Sequence, residues 1–213
     1  MMSENRSVVD TWIKGWALAR GVAAPVVIPG GYRVQVGWPE QKERYVFAEI
    51  TPAFTGLGNT IIEPWVFLKV CAHPDSVRAV LPSRWVIQPP GYMMITGLVP
   101  EDGGALAGGY HLKVELQLPV PVVNILTDSG ELAASGRIAF VEDFAIYDRI
   151  ATTAAHRRKG LASLVMKRLS AIARSRGITK GVLVATGEGQ ALYKTLGWKL
   201  YSLYTSAVIP ANQ

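Results

Sequence analysis

The residues best suited to chemistry in this chain of 213 residues lie in one short basic segment. Its sequence is Arg157-Arg158-Lys159-Gly160-Leu161-Ala162, between a predicted strand and a predicted helix. A helix N-terminus presents unpaired backbone N–H groups and the positive end of the helix dipole, which together favour a phosphate group. Gly160 and Ala162 keep bulky side chains away from the backbone, and the three basic residues add positive charge. The segment therefore predicts a site for a phosphorylated ligand.

The same segment has two other interpretations. It is compatible with a solvated basic turn, because a pattern of six residues recurs by chance. It is also compatible with a nucleic-acid patch, since residues 157–180 contain eight basic residues and no acidic one. However, no aromatic residues alternate with these charges to stack on bases, and one face of the helix must be buried. Nucleic acid is therefore not the expected partner.

Charge and proline content divide the chain into two regions. Residues 1–121 hold ten basic and ten acidic residues, whereas residues 122–213 hold twelve and six, which accounts for the net charge of +6. Twelve of the thirteen prolines lie before residue 122. We predict an N-terminal extension over residues 1–105 and a second, basic domain over residues 106–213.

The hydrophobic pattern places the basic segment among predicted elements. In the second domain, alternation predicts four antiparallel strands at residues 110–117, 122–127, 131–140 and 144–153. A helix at 161–176, a strand at 181–185, a helix at 186–196 and a strand at 198–209 follow, with Gly177 and Gly197 ending the helices. In the extension the pattern predicts helices at 7–20 and 73–80, strands at 32–36, 44–50, 65–70, 84–88 and 92–96, and a loop at 97–109.

Composition excludes several classes of protein. The single cysteine, Cys71, excludes a disulfide framework, and three separated histidines exclude a His/Cys metal cluster, so no metal is expected. No apolar run is long enough to span a membrane. The first residues carry Glu4 and Asp10 where a signal peptide needs a basic end and an apolar run. These features predict a cytoplasmic protein without a membrane partner.

A second motif, Leu192-Tyr193-Lys194-Thr195-Leu196-Gly197-Trp198, lies in the predicted second helix and its end. With the basic segment and the order of elements, it resembles the GNAT superfamily of acyl-CoA-dependent N-acetyltransferases over roughly residues 110–209. The basic segment is similar to that family's Arg/Gln-x-x-Gly-x-Gly/Ala pyrophosphate loop, and the second motif to its Leu-Tyr-x-x-Leu-Gly-aromatic sequence. Two positions differ, since Ala154 and Thr186 stand where the family often has Pro and Asn.

The resemblance implies a fold and a cosubstrate. The fold would be α/β, a mixed and mostly antiparallel sheet flanked by helices, preceded by the N-terminal α/β extension, which we expect on the acceptor side. The cosubstrate would be acetyl-CoA. The residues implied in its binding are Ile150, Ala151 and Thr152 at the strand end, Arg157, Arg158, Lys159, Gly160, Leu161 and Ala162 in the loop, and Thr186. Thr186 is also a candidate N-cap for the second helix, and we favour that role.

The resemblance also implies a reaction, in which a primary amine directly attacks the thioester and no nucleophilic Ser or Cys is needed. Asp148 is the candidate base, because it lies nine residues before Arg157, where family members often carry an acid, and alternation puts it on one strand face with Ile146 and Ile150. A surface carboxylate paired with Arg149 or Arg137 is an equally weighted alternative. Tyr193 is the candidate acid for the leaving thiolate, since a phenol stays protonated at pH 7. The alternative for Tyr193 is a core aromatic.

These predictions leave the acceptor and assembly open. The acceptor is a small-molecule or peptide amine, with peptide amines, aminoglycosides, polyamines and small metabolites all compatible. The alternative function is a non-catalytic acyl-CoA-binding or sensor module, because fold and cosubstrate loop do not prove turnover. The sequence is compatible with a homodimer.

Overall fold

The computed structural model describes residues 4–97, 106–116 and 120–211, which form a mixed α/β fold with mostly antiparallel strands. The elements are α1 Glu4–Arg20, β1 Val26–Ile28, β2 Gly31–Trp38, β3 Gln41–Phe47, α2 Pro52–Thr60, β4 Val66–Val70, α3 Pro74–Val80, β5 Val86–Ile87, β6 Gly91–Gly97, β7 Tyr110–Glu115, β8 Val122–Thr127, β9 Leu132–Val141, β10 Phe144–Thr152, a 3-10 helix Ala154–His156, α4 Leu161–Ser175, β11 Lys180–Ala185, α5 Gly187–Thr195 and β12 Lys199–Val208.

The described residues divide into two compact units. The first unit contains the residues up to Met94, together with Val184–Gln190 and the residues from Leu200 onward. The second unit contains Ile95–Leu183 and Ala191–Lys199. Because the chain returns to the first unit near its end, β6, β11, α5 and β12 are each divided between the units. The predicted boundary after residue 105 adjoins residues outside the described ranges and stays a prediction.

The sheet of the first unit has the order β1-β2-β3-β4-β12, with β5 also pairing with β12. Its strand pairs are antiparallel except for the parallel pair of β3 and β4. Helix α1 buries Trp12 and Trp16, and the Arg44 guanidinium lies 3.5 Å from the centre of the Trp16 ring. A separate core cluster contains Phe47 and Phe54, whose rings meet edge to face at 5.4 Å.

A buried lysine lies within the first unit. Lys69 on β4 is 9% exposed, and its Nζ donates a hydrogen bond of 2.7 Å to the Ser206 hydroxyl. Burial lowers the Lys69 pKa well below its ordinary value, and the positive charges of Arg44 and Arg20 lower it further. Desolvation and repulsion by like charges both favour the uncharged amine, so this side chain tends to lose its proton on folding.

The second unit contains the predicted antiparallel meander, in the order β7-β8-β9-β10. Helix α4 packs its apolar face on β8, β9 and β10, with Leu161, Val165 and Leu169 buried. This close approach depends on Gly136, because a Cβ there would lie 2.5 Å from Ile150 Cδ1 and 2.6 Å from Val165 Cγ1. The order of four strands, helix, strand, helix and strand from residue 110 onward is as predicted.

Some predicted bounds differ from the structure, and β1, α2 and the 3-10 helix Ala154–His156 were not predicted. Strand β3 ends at Phe47 rather than at residue 50, and the end of the predicted strand 110–117 lies outside the described residues. Strand β1 was missed because it is short and flanked by Pro25 and Pro29. The glycine-containing α2 was missed because its start depends on a cap, in which Thr51 Oγ1 accepts from the Phe54 N–H at 3.2 Å. Among the described residues, no helix combines the length and apolarity needed to cross a membrane.

Candidate functional site

The basic segment forms an open turn at the start of α4. Gly160 is the N-cap residue and has φ +74° and ψ 2°, in the left-handed region. Arg158 also has a positive φ, of +61°. Within the described part of the chain, no side chain caps the helix and no acidic residue occupies its first turn. A Cβ at Gly160 would meet no atom within 4 Å, so the space beside this N-cap residue is open.

The turn is fixed to the sheet at its N-terminal side. The Thr153 N–H and hydroxyl donate to the Ala133 carbonyl at 2.9 and 3.2 Å. On its other side, Lys159 Nζ donates to Tyr110 Oη at 2.9 Å. Arg157, Arg158 and Lys159 are exposed and directly precede Gly160 at the helix start. This arrangement suits an anion with several oxygen atoms.

Strand β10 diverges from β11 next to this turn. The two strands pair in parallel only from Phe144 opposite Lys180 to Ile146 opposite Val182. On its other edge β10 pairs with β9 as far as Asp148, shifts register, and resumes at Ala151. The last residues of β10 therefore have backbone groups outside the β11 ladder. Thr152 Oγ1 is buried and has no hydrogen-bond partner among the described residues, so a ligand hydroxyl or amide would satisfy it.

The register shift is a bulge at Arg149, which has φ +52°. Tyr147 faces α4, since its Oη lies 2.9 Å from Ser170 Oγ. Ile150 faces the same helix, because its Cδ1 lies beside the space over Gly136 that Val165 also borders. The prediction that Ile150 shares a face with Asp148 is therefore wrong. One extra residue in the strand reverses the alternation beyond the bulge.

Asp148 and Tyr193 lie close enough to interact electrostatically. Tyr193 on α5 is 7% exposed, and its ring centre lies 6.1 Å from that of Trp198. Burial raises the Tyr193 pKa to about 12, and the negative charge of Asp148 also raises it. Asp148 is half-buried and lies opposite Arg137 in the β9–β10 register. The pair combines a carboxylate with a phenol that keeps its proton at neutral pH.

Two other candidate residues have structural roles. Thr186 Oγ1 accepts from the Gly189 N–H at 3.2 Å, which confirms the predicted N-cap of α5. Cys71 Sγ lies 3.8 Å from Met93 Sδ, and burial raises the pKa of the thiol to about 12. Such a thiol stays protonated, so it is a poor nucleophile. Across the described ranges, no group of three or more His, Cys, Asp or Glu side chains is placed to hold a metal ion.

Comparisons with known proteins complete the description of the site. A sequence model of the acetyltransferase (GNAT) family matches residues 83–198, more than half of the chain. That match includes β10, the basic turn and all of α5. A search of curated proteins finds no significant match.

Solved structures share the fold at low sequence identity. A GCN5-related N-acetyltransferase from Kribbella flavida aligns with a TM-score of 0.71 and 17% identity, over 100% of this chain and 98% of that one. A GCN5-related N-acetyltransferase-like protein from Streptococcus suis aligns with a TM-score of 0.61 and 14% identity, over 98% and 99%. A GCN5-related N-acetyltransferase from Sphaerobacter thermophilus has a TM-score of 0.61 and 11% identity, over 97% and 93%.

Proposed function

Because the chain belongs to the GNAT family of acetyltransferases, we propose that it transfers the acetyl group of acetyl-CoA to a primary amine. The observation that carries this proposal is the uncapped start of α4 behind Gly160, with three basic side chains around it. A diphosphate would accept hydrogen bonds from the first-turn N–H groups and gain from the helix dipole. We call residues 157–162 the acetyl-CoA loop.

The end of β10 fits the remainder of the cosubstrate. In this proposal the backbone groups of Ile150, Ala151 and Thr152 bind the amide-containing arm of acetyl-CoA. These groups are available because β10 pairs with β11 only as far as Ile146. The unpartnered Thr152 hydroxyl supplies a further polar contact. Backbone N–H groups near the thioester would stabilise negative charge on its oxygen.

In this proposal, Asp148 accepts a proton from the acceptor amine and Tyr193 donates a proton to the leaving sulfur. At pH 7 only about one lysine-like amine in a few thousand is uncharged, and only the uncharged form attacks the thioester. The acceptor must therefore lose a proton, which Asp148 takes. The amine nitrogen then bonds to the acetyl carbon, the carbon–sulfur bond breaks, and Tyr193 gives its proton to the sulfur. Protonating Asp148 removes the charge that raises the Tyr193 pKa, so the first transfer makes the second easier. The nitrogen loses its second proton to solvent as the amide forms, and solvent then takes the proton from Asp148 and reprotonates Tyr193 after product release.

Thiol release in the presence of acetyl-CoA and separate classes of amine tests this function. The amines are peptides, aminoglycosides, polyamines and amino-group metabolites, and mass spectrometry identifies an acetylated product. We expect acetyl-CoA to raise the melting temperature and one amine class to release CoA. Stabilisation by acetyl-CoA without thiol release from any class would contradict acetyl transfer and support the non-catalytic alternative.

A further inference from the structure

Tyr110, at the start of β7, contacts the acetyl-CoA loop and the 3-10 helix before it. Its Oη lies 2.8 Å from His156 Nδ1 and 2.9 Å from Lys159 Nζ. The Tyr110 and His156 rings meet edge to face at 5.5 Å, and the Lys159 ammonium lies 5.5 Å from the centre of the Tyr110 ring. We call Tyr110, His156 and Lys159 the Tyr110 cluster. No motif in the sequence pointed to it.

The Tyr110 hydroxyl has one proton and can accept two hydrogen bonds, so two arrangements of donors fit this cluster. In both, the Lys159 ammonium, which has only donors, donates to the Tyr110 oxygen. His156 Nδ1 then either accepts the hydroxyl proton or donates to the same oxygen. We expect the first arrangement, with the imidazole proton on Nε2, because its hydrogen bonds run from Lys159 through Tyr110 to His156 and each bond polarises the next.

The cluster joins the two sides of the turn at Arg157 and Arg158. His156 ends the 3-10 helix, and Lys159 precedes the N-cap residue Gly160. Between them Arg158 has φ +61°, a conformation that a residue with a Cβ adopts only when its surroundings hold it. Tyr110 supplies contacts on both sides of this residue, from a strand distant in the sequence.

We propose that Tyr110 is a positioning residue, which holds the acetyl-CoA loop in its binding conformation before the cosubstrate arrives. This inference rests on the proposed function. A loop that is already ordered loses less entropy when the ligand binds, so Tyr110 strengthens acetyl-CoA binding without touching the reacting atoms. It also holds the Lys159 ammonium at one place beside the open start of α4.

Replacing Tyr110 by Phe tests this role. Tyr110→Phe keeps the ring and removes both hydrogen bonds, so we expect the Kd and KM for acetyl-CoA to rise about tenfold while kcat at saturation is unchanged. Tyr45→Phe is the matched control, because it removes a hydroxyl that bonds Glu43 in the first unit and should leave both constants unchanged. Unchanged Kd and KM in Tyr110→Phe would overturn the proposal.

A spectroscopic measurement tests the cluster independently of activity. The chain has three histidines, so their ring nitrogens are resolvable by NMR of the ¹⁵N-labelled protein, with His156→Asn giving the assignment. We expect His156 to carry its proton on Nε2, and Tyr110→Phe to redistribute it between the nitrogens. A His156 ring with its proton on Nδ1, or a spectrum unaffected by Tyr110→Phe, would overturn the hydrogen-bond chain.

Variants at His156 provide a second test that does not depend on Tyr110→Phe folding. His156→Ala removes the acceptor and should raise KM, whereas the side-chain oxygen of His156→Asn replaces Nδ1 as acceptor and should restore most of the affinity. Equal KM values in both variants and the wild type would contradict the proposal. If the wild type neither binds acetyl-CoA nor releases CoA, the proposed function fails. If the wild type does both and the variants match it, only the role of Tyr110 fails.

Discussion

Replacing Gly160 by Asp should weaken binding of the acetyl-CoA diphosphate strongly while changing the free energy of unfolding little. Gly160 has φ +74°, and an added Cβ would meet nothing within 4 Å, so the cost of the side chain is conformational rather than steric. The left-handed region costs a residue with a Cβ about 1–2 kcal/mol, and Asp tolerates it better than most. An Asp at this N-cap position gains only about a few tenths of a kcal/mol over Gly by capping α4. We therefore expect the free energy of unfolding to fall by about 1 kcal/mol.

The effect on binding should be much larger. The new carboxylate would take the place proposed for the diphosphate and hydrogen-bond the same N–H groups. Two like charges about 5 Å apart repel by about 3 kcal/mol at an effective dielectric constant near 20, which corresponds to a loss of affinity on the order of 100-fold. Salt weakens this repulsion, so the measurement belongs at low ionic strength.

The assay compares acetyl-CoA binding, by calorimetry, with urea unfolding of the same proteins. Gly160→Asn is the matched control, because Asn has the size and left-handed preference of Asp without its charge. We expect the Asn variant to bind acetyl-CoA within about tenfold of the wild type, since its side chain lacks the negative charge that repels the diphosphate in the Asp variant. A folded Gly160→Asp protein with wild-type affinity would refute the assignment of the loop. An equal loss in both variants would show that shape rather than charge is responsible.

Three further predictions concern buried or half-buried titratable groups. Asp148→Asn should lower kcat by about two to four orders of magnitude with acetyl-CoA affinity intact, whereas a surface partner of arginine would leave kcat near normal and change stability by less than about 1 kcal/mol. Tyr193→Phe should lower the single-turnover rate with little change in acetyl-CoA affinity, and a wild-type rate would remove Tyr193 from the mechanism. The lowered pKa of Lys69 means that the unfolded chain binds more protons below the ordinary lysine pKa, so the free energy of unfolding should rise with pH towards that value. Urea titrations at several pH values should show this rise reduced in Lys69→Met and retained in Lys42→Met, which removes an exposed lysine.

The elements of the second unit were predictable because their patterns are local. Alternation in the meander and the helical spacing of Leu161, Val165 and Leu169 follow from which faces are buried. The position of Gly160 at the helix start and the cap at Thr186 also follow from residue type. These features need no knowledge of distant parts of the chain.

The features that were missed depend on contacts between distant residues or on strained backbone. Tyr110 lies 46 residues from His156, so no window of sequence contains the contact. Arg149 and Arg158 adopt positive φ although their residue type does not favour it, and only the surrounding structure imposes that conformation. The bulge at Arg149 then reverses the face of every later residue in the strand, which is why alternation misplaced Ile150.

Asp148, just before the bulge, and Tyr193 interact as a pair in the structure. The sequence identified the two residues separately, one by strand position and one by motif, and gave each an independent structural alternative. The structure adds that the charge of Asp148 raises the pKa of Tyr193. A core tyrosine beside a carboxylate has no structural need for that neighbour, because the negative charge stabilises neither the ring nor its packing against Trp198. In acetyl transfer, by contrast, an acid must hold its proton until the base has taken one. In the proposed reaction, a carboxylate that loses its charge at that moment provides this order of events, so the proximity of Asp148 to Tyr193 supports the roles proposed for both residues.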